Sequence, residues 1–150
     1  MSVEELYRLW MDNDKIKLVL GSMIDVGLGY LSLGQPPHSL SSGEAQRLKL
    51  AMALHKKGAA DTLYILDEPT SGLHNEDVKN LITLLLRLVD KGNSIWVVEH
   101  HLHMLISCDW LIELGPGGGP HGGWIVAQGT PEEIALLDTA TGRVLEGILE

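Results

Sequence analysis

Leu63-Tyr64-Ile65-Leu66-Asp67-Glu68-Pro69-Thr70-Ser71-Gly72-Leu73-His74 is the stretch on which the fold turns. Four apolar residues end abruptly in two adjacent carboxylates, and a short continuous apolar run of this kind reads as a buried parallel strand. A second run, Ile95-Trp96-Val97-Val98, ends in the same manner at Glu99-His100. Between them Val78, Leu81, Ile82, Leu85, Leu88 and Val89 recur at helical spacing, after Glu76-Asp77 and before Gly92. The pattern predicts a strand-helix-strand unit with a right-handed crossover. Open parallel sheets bind ligands at the carboxyl ends of their strands, and Asp67-Glu68 and Glu99-His100 fall there.

Toward the N-terminus the period changes. Val3, Leu6, Leu9 and Trp10, then Ile16, Val19, Leu20, Met23 and Ile24, are spaced three and four apart and predict two helices, which Gly27 and Gly29 interrupt. After Pro36-Pro37, Ser41 stands three residues before Glu44, a capping-box start. The helix it opens is expected to turn Leu48, Ala51, Met52 and His55 inward and to end at Gly58. Toward the C-terminus a short helix is expected at 102–107, then strands at Trp110–Leu114 and Trp124–Ala127, separated by a loop holding six glycines. Thr130-Pro131-Glu132-Glu133 opens one of one or two closing helices. The chain is thus α/β, a helical region at 1–60 followed by an α/β core segment at 61–150 with a mostly parallel sheet and flanking helices, the two together forming one partial domain.

Composition narrows the function. Of 150 residues, 20 are acidic and 11 are Lys or Arg, a net charge of −9, so a broad phosphate-binding surface is not expected from this chain by itself. With 45 % hydrophobic residues the chain can bury a core, and no apolar run reaches the roughly 20 residues of a membrane helix. No membrane role and a cytosolic location are expected. Cys108 is the single cysteine, which excludes an internal disulfide and a multi-cysteine zinc site; it reads as a small buried residue.

The chemistry sits in three places. Successive strand side chains point to opposite sides, so Asp67 and Glu68 can divide the labour: Asp67 supporting Mg²⁺ together with substrate phosphates, Glu68 orienting or deprotonating water. Leu40-Ser41-Ser42-Gly43-Glu44 sets a hydroxyl and free backbone N–H groups at a helix start, where an anion can dock. His100, past the second strand, suits a hydrogen bond to phosphate or to the water held by Glu68; with His101 pointing away, metal ligation by the pair is not expected.

In this order, Leu40-Ser41-Ser42-Gly43-Glu44, Leu63 to Glu68, Ser71-Gly72-Leu73-His74 and His100 resemble the signature motif, Walker B strand, D-loop and switch histidine of the ABC-type ATPase domain. Gly123-Trp124-Ile125-Val126-Ala127-Gln128-Gly129-Thr130-Pro131-Glu132-Glu133 is similar to the segment that ends many such domains. Val26 to Gln35, Gly43-Glu44-Ala45-Gln46-Arg47, Tyr64 to His74 and Asp109 to Pro116 resemble the branch that senses DNA damage in bacterial nucleotide excision repair, within the C-terminal part of its second ATPase module.

The resemblance implies an ATP- and Mg²⁺-dependent ATPase. Ser41, Ser42, Gly43 and Glu44 would cap the terminal phosphate of a nucleotide on an opposing module; Asp67 (Mg²⁺), Glu68 and His100 would serve the nucleotide of this module's own P-loop, with Ser71, Gly72, Leu73 and His74 as D-loop. Ser42 replaces the usual glycine, which would cost on the order of 1 kcal/mol if its φ were positive. No G-x-x-x-x-G-K-[ST] sequence occurs, and Lys56-Lys57-Gly58 has the wrong spacing for one. The expected partners are therefore the rest of the module carrying the P-loop, an opposing module, and DNA and other excinuclease subunits through the full protein. Zinc is expected only in upstream modules, and these residues alone are not expected to hydrolyse ATP. A transporter or chromosome-maintenance ATPase, or a non-catalytic dimerisation or regulatory module, are the alternative readings.

Overall fold

The computed structural model describes residues 1–54 and 61–149, with the backbone alone for Leu54. His55, the expected stop at Gly58, the boundary at residue 60 and Lys56-Lys57-Gly58 lie outside the described residues. Two compact units are formed, Met1–Glu99 and His100–Glu150, so the signature region and the first two strands share one unit.

In the first unit, helices α1 (Val3–Leu9), α2 (Asp14–Asp25) and α3 (Ser42–Leu54) precede strand β1 (Leu63–Asp67), helix α4 (Asn75–Asp90) and strand β2 (Ser94–Val98). α2 packs on α1, α3 and α4, and α4 on β2. Gly27, at φ +71°, ends the α2 region in a left-handed turn that a side chain would strain. α4 turns Val78, Leu81, Leu84, Leu85 and Leu88 inward; Val89, expected on that face, is at its margin and exposed. Asn93, itself buried, accepts from Thr62 N–H and donates to the Leu88 carbonyl, fastening the end of α4 to the start of β1.

β1 and β2 are parallel, with Leu63 opposite Ser94 and Asp67 opposite Val98. The expectation of strands buried on both faces is corrected. Leu66 is buried, whereas Leu63, Ile65, Trp96 and Val98, all on the other face, are 54–70 % exposed. A two-stranded pair packed against α4 buries one face only. The face of α3 is corrected too: Arg47, Leu50, Ala51 and Ala53 are buried and Met52 is 61 % exposed, because the buried i, i+3, i+4 row runs through Arg47.

The second unit holds α5 (Leu102–Leu105), β3 (Leu111–Gly115), β4 (Trp124–Gly129), α6 (Pro131–Ala135) and α7 (Ala140–Leu149). β3 and β4 pair antiparallel, with an irregularity between Glu113 and Leu114. The Thr130 side chain caps α6 in a capping box with Glu133, as its sequence predicts. Ala127, Ile134 and Leu145 centre this core. Cys108 is half-buried, its thiol near the Leu105 carbonyl, and burial pushes its pKa up.

Candidate functional site

The signature segment is built by its own capping box. Ser41 Oγ accepts from Glu44 N–H at 3.2 Å, and a Glu44 carboxylate oxygen accepts from Ser41 N–H at 2.6 Å. The other Glu44 oxygen accepts from the Tyr30 hydroxyl. That bond is the largest of the influences holding Glu44 below the usual carboxylate range, followed by the Ser41 N–H. Tyr30 is shifted up, first by desolvation of its hydroxyl and then by the hydrogen bond to Glu44. Ser41 and Ser42 are exposed at the start of α3. Ser42 does not have a positive φ, so the strain foreseen for serine at that place does not arise.

β1 delivers Asp67 at its carboxyl end, paired in register with Val98. Both Asp67 and Glu68 are exposed. Glu68 lies at φ +43°, in the left-handed region that non-glycine residues seldom adopt. Two backbone bonds hold it there: Glu68 N–H donates to the Val98 carbonyl at 2.9 Å, and Ser71 N–H to the Glu68 carbonyl at 3.0 Å. The chain thereby leaves the extended strand conformation at Glu68, immediately after Asp67. Pro69 and Thr70 are buried, and Ser71, Gly72 and His74 are exposed.

Three residues not assigned from the sequence organise this edge. Arg47, 2 % exposed, donates from Nη1 to the carbonyls of Pro69 and Ser71. Glu99 accepts from Thr70 N–H at 3.2 Å and from the Thr70 hydroxyl. Tyr30 fixes Glu44. The detectable signal for Arg47 was a cation on the same helical row as Leu50 and Ala51; for Glu99, an ionisable residue ending an apolar strand. The structure brings the signature segment and the D-loop together in one unit through Arg47. His100 is the first residue of the other unit, two residues past β2, with an exposed side chain.

Among the described residues no group of three or more His, Cys, Asp or Glu is placed to hold a metal. The donor set fits Mg²⁺ nonetheless, since that ion keeps most of its waters and takes one or two carboxylates together with phosphate oxygens. Asp67, an exposed hard oxygen donor on a strand end, is of the type such an ion takes. No described helix is long and apolar enough to cross a membrane.

An apolar strand ending in two carboxylates, a turn docked on the helix that a serine-glycine segment opens, and a parallel strand beside it define the class: part of an ABC-type ATPase domain. A solved ATP-binding cassette of an ABC transporter shares this fold at 21 % identity and a TM-score of 0.50, over 89 % of this chain and 47 % of that one. Within the class, the chain is homologous to a segment of UvrABC system protein A. It is 53 % identical over 150 residues to that protein from Thermus thermophilus and 50 % identical over 151 residues to that from Bacillus subtilis. The crystal structure of UvrA2 from Deinococcus radiodurans superposes on the whole chain with a TM-score of 0.88 at 45 % identity, using 18 % of that structure. The chain spans 16 % of the length of the curated relatives. No family model matches it.

Proposed function

We propose that this chain is the signature-to-switch segment of the second ATPase module of a UvrA-type protein, which couples ATP binding and hydrolysis to recognition of damaged DNA in nucleotide excision repair. The observation that carries the reading is Glu68, an exposed carboxylate held at positive φ beside the strand-end carboxylate Asp67. A residue kept in a sparsely populated backbone region by two hydrogen bonds supports a functional role for its carboxylate.

Together with ATP bound by the P-loop of the same module, Asp67 would hold Mg²⁺, which would supply charge neutralisation at the phosphates. Glu68 orients the attacking water and takes up its proton, and His100 hydrogen-bonds to the terminal phosphate or that water. Ser41, Ser42 and Gly43 present a hydroxyl and helix-start N–H groups to the terminal phosphate of the opposing module's nucleotide, in a loop ordered by the Glu44 carboxylate. Ser71, Gly72, Leu73 and His74 form the D-loop between the two sites. DNA and the other excinuclease subunits are engaged through the rest of the protein, consistent with the −9 charge here.

The test is Glu68→Gln in the complete P-loop-bearing protein. Single-turnover hydrolysis at this module should fall by roughly a hundredfold or more while ATP affinity stays within a fewfold, as expected for loss of a group used only in the transition state. Hydrolysis at the wild-type rate would remove Glu68 from the mechanism.

A further inference from the structure

A buried guanidinium must recover its lost hydration through hydrogen bonds. Arg47 does so through one nitrogen, on backbone oxygens rather than on a carboxylate: Nη1 lies 3.1 Å from the Pro69 oxygen and 3.3 Å from the Ser71 oxygen, 22 and 24 residues away in the chain, while the buried Nε has no partner among the described residues. Those carbonyls flank Thr70, whose N–H and hydroxyl are taken by Glu99 at the end of β2. The turn after Glu68 is therefore gripped from the helix side by a donor and from the strand side by an acceptor. Space is kept for the grip: a Cβ at Gly43 would stand 3.3 Å from Arg47 Nη1, closer than an ordinary contact.

We propose that Arg47 is a positioning residue that couples the two ATP sites, tying the phosphate-facing end of α3 to the turn that sets the backbone of Glu68. The inference rests on the reading that Ser41 to Gly43 and Asp67-Glu68 serve different nucleotides. A guanidinium bonding two carbonyls is a rigid link, since its donors lie in a fixed plane. When a phosphate engages the N-terminus of α3, any displacement there is passed through Arg47 to Pro69 and Ser71. The Ser71 N–H holds the Glu68 carbonyl, so the same displacement reaches the water-orienting carboxylate.

The experiment compares Arg47→Met, Arg47→Lys and Glu68→Gln in the complete P-loop-bearing protein. It reads kcat and KM for ATP together with hydrogen-deuterium exchange of the 69–73 backbone. For Arg47→Met, kcat should fall roughly tenfold or more with KM within about threefold, because coupling acts on the transition state rather than on ground-state binding. Thr70 to Leu73 amides should exchange faster while α4 amides keep their protection. Arg47→Lys should fall between, since an ammonium reaches a carbonyl but lacks the fork. A folded Arg47→Met protein with unchanged kcat, or with lowered kcat and unchanged 69–73 exchange, overturns the proposal. If Arg47→Met does not fold, Arg47→Lys decides on the same two readouts. Glu68→Gln separates the levels: loss of hydrolysis there with a fully active Arg47→Met protein rejects the coupling alone, whereas a fully active Glu68→Gln protein rejects the underlying site.

Discussion

Glu44 shows how one carboxylate can order the entry to a helix. Its two oxygens are engaged, one by Ser41 N–H and one by the Tyr30 hydroxyl, so both donors stabilise its charged form. The pH consequence follows from the two shifts. The depressed pKa of Glu44 means that its contribution is present above the ordinary glutamate pKa and is lost as pH falls through the lower folded value. The raised pKa of Tyr30 means the reverse: its contribution is present below the ordinary tyrosine pKa and is lost as pH rises through the higher folded value. The pair is intact between those limits, which include neutrality. In Tyr30→Phe the Glu44 carboxyl should titrate closer to the ordinary range, as read by carboxyl carbon chemical shifts, and an unmoved titration would dismiss Tyr30 as the main cause.

At the level of elements, two glycines of α7 make opposite demands. A Cβ at Gly142 would fall 2.1 Å from the Leu137 oxygen and 2.6 Å from the Ile134 oxygen, both backbone atoms that cannot step aside cheaply, whereas one at Gly147 meets nothing within 4 Å. Gly142→Ala should destabilise by about 1–3 kcal/mol through overpacking. Gly147→Ala should stabilise by about 0.5–1 kcal/mol through reduced unfolded-state entropy and better helix propensity. Urea unfolding of the two variants beside the parent checks both signs. Nothing in the spacing of the sequence distinguishes these glycines, because the obstruction at Gly142 comes from α6 and the turn that follows it.

The elements themselves were largely legible. The runs at 63–66 and 95–98 are the parallel pair, Val78 to Leu88 is the inner face of α4, and Ser41 with Glu44 does make a capping box. What could not be read was which polar residues would be inside. Arg47 counts as surface on any hydropathy pattern, yet it is buried on the same helical row as Leu50 and donates to carbonyls of a turn more than twenty residues away. Glu99 stands one residue before His100, immediately after an apolar strand. Tyr30 needed a third dimension to meet Glu44. The exposed polar residues at the strand and helix ends were visible; those that hydrogen-bond around them were not, since such bonds depend on tertiary distance.

For the whole molecule, Leu63, Ile65, Trp96 and Val98 form an outward apolar face on β1 and β2 in a chain of net charge −9. Like charge keeps copies apart at low ionic strength, and salt shortens its reach to about 10 Å at 0.1 M. Exposed apolar patches then promote association. Dynamic light scattering of the chain by itself should record growing particles as salt is added at constant protein concentration, and Trp96→Lys should suppress the growth; size independent of salt would contradict this. The strand that presents Asp67 at its tip thus also governs, along its outer side, the colloidal lifetime of the chain in a storage buffer.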